Sequence, residues 1–291
     1  MEQHKKNYLY ALKVYIDKMP SLPTSVTKIM EISNDPKASP ADLNQVISLD
    51  PVLMGKVMKL INSAYYGLST EVTSLVRAII MLGINTVKNL ALSTAVLANL
   101  GKTSSEHGLN MDGFWRHSLC VGATSKLIAK KLKVDPKRLE EYFMAGLLHD
   151  IGKIPLNNRL SDAYVNAMSA ADREKITLIQ AEKNVIGIHH CEVGKIILQR
   201  WRLNQEIQDA LSFHHAPLSY EGPHRRIVFA VTAANYFANV FEIGFAGDRY
   251  TQKVPAEVFT EIGVSMEWFE GVEQQIQDEI EKARIFLKIA T

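Results

Sequence analysis

Cysteine is scarce: the 291 residues hold only Cys120 and Cys191. The two form no C-x-x-C pair and suggest no disulfide framework, so a disulfide-stapled secreted domain is not expected. No apolar run approaches the roughly 20 residues of a membrane span. The opening stretch Met1-Glu2-Gln3-His4-Lys5-Lys6 also lacks the apolar segment of a secretory signal. A cytoplasmic protein without membrane contact is the expectation. An excess of one charge is missing as well. Lysine and arginine number 33 against 31 acidic residues, a formal net charge of +2. The basic residues are scattered, with short clusters only at Lys130-Lys131 and Arg225-Arg226. No nucleic-acid surface is expected from such a balance. Strand-like alternation of apolar and polar residues is scarce too, which argues against a sheet.

What the chain does have is helical periodicity and ample core material. Hydrophobic residues make up 47% and charged ones 22%, enough to bury a sizeable core. Ser39-Pro40, Asp50-Pro51 and Asp135-Pro136 each place a capping side chain before a first-turn proline. The spacing predicts a helix over 51–64, with Val52, Met54, Val57, Met58 and Ile61 offered to a core. Gly83 separates two further helical patterns, 72–82 and 84–100. Phe269, Val272, Ile276, Ile280, Ala283 and Leu287 form an apolar stripe near the end. The fold class read from this is all-α. Residues 1–100 read as an N-terminal helical bundle, and the polar segment 101–111 as a linker. Residues 112–242 read as a helical domain carrying the chemistry, and 243–291 as a C-terminal helical extension. No convincing internal repeat is present.

The chemistry concentrates after the linker. His149 and Asp150 stand side by side in the apolar run Leu147-Leu148-His149-Asp150-Ile151-Gly152-Lys153. A buried ionised carboxylate is costly unless something pairs with it, and a cation is one natural partner. His117, His189-His190 and His214-His215 lie on other predicted helices. Facing helices of a bundle can bring such side chains together around a metal. Of the adjacent pair, His190 is expected to point inward. Neutral imidazoles with one carboxylate suit one or two divalent transition metal ions: iron, manganese, nickel, zinc or cobalt. Lys153, one turn from His149, reads either as a phosphate-facing cation or as a solvent-exposed lysine near a helix end. Cys191 reads as a ligand or as a small buried hydrophobe. His4, His107 and His224 read as isolated surface or core histidines.

These motifs resemble the HD phosphohydrolase superfamily through His117 and His149-Asp150. The longer pattern is similar to its HDOD branch: Leu22-Pro23, Ile47-Ser48-Leu49-Asp50-Pro51, Asn62-Ser63-Ala64-Tyr65-Tyr66-Gly67 and Ala78-Ile79-Ile80-Met81-Leu82-Gly83. It continues through Gly146-Leu147-Leu148-His149-Asp150-Ile151-Gly152-Lys153, His190-Cys191-Glu192-Val193-Gly194, Trp201 and His214-His215. The resemblance spans about residues 15–217. It implies an HD-like helical domain packed on the N-terminal bundle, and a bacterial signalling or regulatory role. HDOD modules commonly act as output or interaction domains, whereas HD-GYP relatives hydrolyse cyclic di-GMP at a centre of two or three metals.

The resemblance implies His117, His149, Asp150, His190, His214 and His215 as metal ligands, with Asn235 a weak seventh. The chain departs from the enzymes in three places. Gly113 stands where they carry a carboxylate. Only Tyr220-Glu221-Gly222-Pro223 occupies the region of their GYP loop, and Asn235 replaces the closing aspartate of the signature. Asp112 and Glu192 lie near the relevant positions but not at them. Less anionic charge argues against a tight trinuclear centre. Two functions follow as expectations. One is a regulatory module that engages a signalling protein or a small phosphorylated ligand and has weakened catalysis. The other is a metal-dependent phosphohydrolase or cyclic-nucleotide phosphodiesterase with Asp150 and Lys153 as catalytic candidates. Tyr65 and Tyr66 read as partner contacts or as residues packed within the bundle.

Overall fold

In the computed structural model, residues 2–19, 22–33, 37–100 and 108–290 are described. His107, most of the expected linker and the side chain of His4 lie outside them. The described residues form helices and no strand. The N-terminal half contains α1 (Glu2–Lys18), α2 (Thr24–Ser33), α3 (Pro40–Ser48), α4 (Pro51–Ile61), α5 (Leu75–Leu82) and α6 (Ile84–Leu100). The second half begins with α7 (Met111–Lys131), α8 (Leu139–Leu148), α9 (Lys153–Arg159) and α10 (Ser161–Glu174). It continues through α11 (Leu178–Val185), α12 (His190–Arg200), α13 (Gln205–Phe213) and α14 (Arg225–Val240). Two last helices, α15 (Ala256–Ile262) and α16 (Met266–Ala290), complete the chain.

The helix starts follow their capping chemistry. The Ser39 hydroxyl accepts from the Asp42 amide while the Asp42 carboxylate accepts from the Ser39 amide, a reciprocal box. The Asp50 carboxylate accepts from the Leu53 amide at 3.0 Å, ahead of Pro51. Asp135 caps a short 3-10 turn, Pro136–Arg138, rather than an α-helix. Two expectations need correction. Val52 is 69% exposed, and the buried face of α4 is Leu53, Val57, Leu60 and Ile61. Those four share one side at the helical repeat, and Val52 lies off it. The helix expected from residue 72 begins at Leu75. The Asn62 side chain takes both peptide groups of Val72, accepting from its N–H at 2.8 Å and donating to its C=O at 2.9 Å. Val72 is thus anchored outside the helix, which Ser74 then caps.

Helices α5 and α6 meet at 116° across Gly83. Helix α6 packs on α2 and α4 of the first half and on α8 and α16 of the second. It is therefore the shared wall of the two halves. Helix α16 buries Phe269, Ile276, Ile280 and Ala283 and lies against α7, α6 and α4, bridging the same seam. Tyr65 sits inside that seam between the rings of Phe143 and Phe286, centroids 5.6 and 5.1 Å away. The Lys126 ammonium donates to its hydroxyl at 2.8 Å and to the Glu140 carboxylate. Tyr65 is thus a packing residue and not an exposed contact. No single described helix is long and apolar enough to cross a membrane; α5 and α6 together pass by composition, but α6 is largely buried in the protein.

Candidate metal centre

Five helix ends or turns converge in the second half. His117 lies on the second turn of α7, and His149 closes α8 with Asp150 next in the turn. Lys153 begins α9, His190 begins α12, and His214-His215 follow α13. Asp150 is at the centre. Its Oδ2 lies 2.8 Å from Lys153 Nζ, 3.3 Å from His149 Nε2 and 3.9 Å from His117 Nε2. Its Oδ1 lies 3.3 Å from His190 Nε2 and 3.7 Å from His214 Nε2. Apart from the half-buried His215, these side chains are at most 2% exposed. Gly152 permits the convergence. A Cβ there would collide with the His190 carbonyl and the Gly194 amide, so only glycine lets the start of α9 touch the start of α12.

The outer hydrogen bonds decide what the inner nitrogens offer. His149 Nδ1 donates to the Gly146 carbonyl at 2.7 Å, and His214 Nδ1 to the Leu211 carbonyl at 2.8 Å. His190 Nδ1 donates to the Glu182 carboxylate at 2.7 Å. A carbonyl can only accept, so in His149 and His214 Nδ1 carries a proton, and in the neutral ring the Nε2 lone pair is left facing inward. The Nε2 atoms of His149, His190, His214 and His215 are buried with no hydrogen-bond partner. A lone pair aimed at a carboxylate is repulsive unless a cation lies between them. The donor set therefore fits a divalent transition metal. His117, His149 and Asp150 form one group able to hold an ion, and His190, Cys191, His214 and His215 another, with donors in each within 4.8 Å of one another.

Electrostatics agree with that fit. Burial pushes His117 and His215 down to about 3 and His214 well below its ordinary value, so these imidazoles stay neutral. Burial opposes charge on His190 too, but Cys191 and Glu182 outweigh it and raise its pKa well above the usual value. That nitrogen sits where positive charge is favoured, and a metal and a proton compete for it. Burial disfavours the Asp150 carboxylate, yet the Lys153 ammonium 2.8 Å away holds its pKa well below the usual range. Lys153 is raised despite burial by Asp150 and Asp248.

The site also departs from the sequence reading. Lys153 is neither solvent-exposed nor free to face a phosphate. It is fully buried, with Nζ 2.8 Å from Asp150, 2.7 Å from Asp248 and 3.0 Å from the Ala246 carbonyl. Asn235 lies at the edge of the centre, its Oδ1 3.0 Å from His117 Nε2. His189 stays outside, beside Glu192 at 3.4 Å, while His190 points in as expected. Asp112 is exposed, as is Glu192. His224 is not isolated: its Nδ1 donates to Asp209 at 2.8 Å, in a separate network with Tyr220.

Two carboxylates escaped the sequence reading. Glu182 is fully buried behind His190, accepting from its backbone N–H at 2.9 Å as well as from its ring. A carboxylate eight residues before a histidine follows no ligand motif. Asp248 comes from the loop after α14 and accepts from Lys153 and, at 3.2 Å, from the Leu178 amide. This loop reaches inward because the Phe245 amide donates to the Gly113 carbonyl at 2.9 Å. Gly244 adopts φ +75° there, and a Cβ on it would strike the His117 backbone. Gly113, the position without the expected carboxylate, is where the loop crosses α7. Glycines flanking Asp248 were the only available sequence signal.

A cleft lined by His214, His215, Asn235 and Asp248 and edged by residues 251–255 leads to the centre. Its cavity volume is about 20 Å³, close to that of one water site.

Comparison with known proteins follows the same outline. The profile of the HDOD domain matches residues 19–217, more than half of the chain. An uncharacterized protein of Treponema pallidum (strain Nichols) is 25% identical over 228 residues, which cover 74% of this chain and 42% of that protein. The chain thus spans less than half the length of that relative. An HDOD domain protein of unknown function from Geobacter sulfurreducens is 28% identical, with TM-score 0.70 over 98% of this chain and 97% of that one. A candidate phosphohydrolase from Shewanella amazonensis SB2B shares the fold at 23% identity and TM-score 0.71, covering 97% and 98% of the two chains. So does a candidate signal transduction protein from Marinobacter aquaeolei VT8, at 19% identity and TM-score 0.72, over 99% of this chain and 65% of that one.

Proposed function

The chain belongs to the HDOD domain family, and from that premise we propose that it is a regulatory module whose HD pocket binds divalent metal while its helical surfaces engage a signalling partner. The observation that carries the reading is the closure of the pocket. Asp150, His149, His190 and Lys153 are at most 1% exposed, and the adjoining cavity of about 20 Å³ is the size of one water site. That little space beside the buried carboxylate supports weakened catalysis. The Lys153 ammonium, the natural phosphate contact, is already spent on three acceptors.

His190, His214, His215 and Asp150 would hold the ion, and Glu182 would orient His190 toward it. A divalent ion bound there supplies fixed positive charge and an acidified bound water. In this reading the ion organises the joint between α8, α9, α12 and α13. The partner is a signalling protein, or a small phosphorylated ligand acting at the surface. Leu49, Val52, Ile80 and Met81 of the N-terminal half are exposed apolar side chains that a partner docked on this half would cover.

A metal-dependent phosphohydrolase is the second reading, favoured by the converging donor set itself. Elemental analysis of untagged protein, paired with turnover of bis(p-nitrophenyl) phosphate and cyclic di-GMP, separates the two. The regulatory reading expects bound metal and no hydrolysis above that of Asp150→Ala. Steady turnover abolished by Asp150→Ala would sink it.

A further inference from the structure

Asp150 presents its two oxygens to two different sets of groups, and only one set is free to take a metal. Resting on the reading of this pocket as a metal site, we infer that the chain binds one divalent transition metal ion, on the Oδ1 side of Asp150 with His190, His214 and His215. The Lys153 ammonium fills the place of a second ion on the Oδ2 side.

On the Oδ2 side the positions are taken. The three hydrogens of the Lys153 ammonium meet three acceptors: Asp150 Oδ2, Asp248 Oδ2 and the Ala246 carbonyl. Bridging two buried carboxylates is the task of a divalent ion, here done by a side chain. His117 is withdrawn by a chain of hydrogen bonds. Asn239 Nδ2 donates to the backbone carbonyl of Asn235 at 3.0 Å, which fixes the orientation of its amide. The same Nδ2 lies 3.0 Å from Asn235 Oδ1, so that atom is an acceptor oxygen. That oxygen lies 3.0 Å from His117 Nε2, which must therefore carry the proton. A protonated ring nitrogen has no lone pair to give. Only His149 is left on this side. On the Oδ1 side no protein group competes for the nitrogens, and three Nε2 atoms stand without a protein partner.

Charge points the same way: each further divalent ion adds two buried positive charges to a pocket that already holds the Lys153 ammonium, which a low-dielectric interior opposes strongly.

The test is a count of ions. The metal-free full chain is titrated with manganese(II), free ion is followed by its electron paramagnetic resonance signal, and bound ion is checked by elemental analysis. One ion per chain is expected, lost in His190→Ala and in His214→Ala and retained in His117→Ala. The double variant Lys153→Met with Asn235→Asp is expected to take two ions with a spin-coupled signal. Two ions in the unaltered chain, or an ion lost in His117→Ala and kept in His190→Ala, overturns the inference while leaving the metal reading intact. A folded, unaltered chain that takes up no manganese, iron or zinc overturns the metal reading itself. The count in the unaltered chain decides the matter even where a variant fails to fold.

Discussion

Before Thr86, no polar or charged side chain among the described residues is buried. Between His117 and Asp248 the interior holds Asp150, Lys153, Glu182, Asp248 and four fully buried histidines. The two halves share a seam along α6 and α16 yet are held together by different physics. The first is an apolar core whose stability scales with area removed from water. The second buries charges that cost free energy to desolvate and that well-packed apolar residues could replace without loss of stability. A fold retaining such a cluster keeps it for something other than stability, and here the unpartnered lone pairs point to a cation.

The largest effect should come from removing the cation already inside. Lys153→Met leaves Asp150 and Asp248 buried without their ammonium, and we expect a loss of about 3–5 kcal/mol by urea denaturation. Manganese(II) should recover part of that loss, because a ligand bound only to the folded state stabilises it by mass action. Gly244→Ala comes next. A Cβ there strikes the His117 backbone and demands φ +75° of a non-glycine residue, an expected cost of about 1–3 kcal/mol. Weaker manganese binding should accompany it, since the loop that carries Asp248 shifts.

Those two sites also mark the limits of sequence reading. The clustering of the histidines around Asp150 was legible because a carboxylate in an apolar run must be paired, and the separated histidine groups supply donors for a shared cation. Helix starts at Ser39 and Asp50 were legible because capping is a local interaction. Val52 was misplaced because which side of α4 is buried depends on α3, α5 and α6, which local spacing does not encode. Asp248 and Glu182 were invisible because they act through Lys153 and His190, 95 and 8 residues away, at distances set only by the tertiary fold. The fate of Lys153 was open for the same reason.

On the apolar side of the comparison the expected costs are graded. Ile47→Val trims a fully buried methylene from the N-terminal half and should cost about 0.5–1.5 kcal/mol. Manganese stoichiometry should not change, and a change there would break the separation between the halves. Val52→Ser should shift stability by no more than about 0.5 kcal/mol in thermal or urea unfolding, as expected of a surface position. A larger loss would show that this exposed apolar side chain is covered in solution.

The most direct test of the account is a crystal grown with manganese(II) and measured for anomalous scattering. We predict one peak, on the Oδ1 side of Asp150 among His190, His214 and His215, with the Lys153 ammonium still joining Asp150 to Asp248. A peak beside His117, or a pair of peaks with Lys153 displaced, would contradict it.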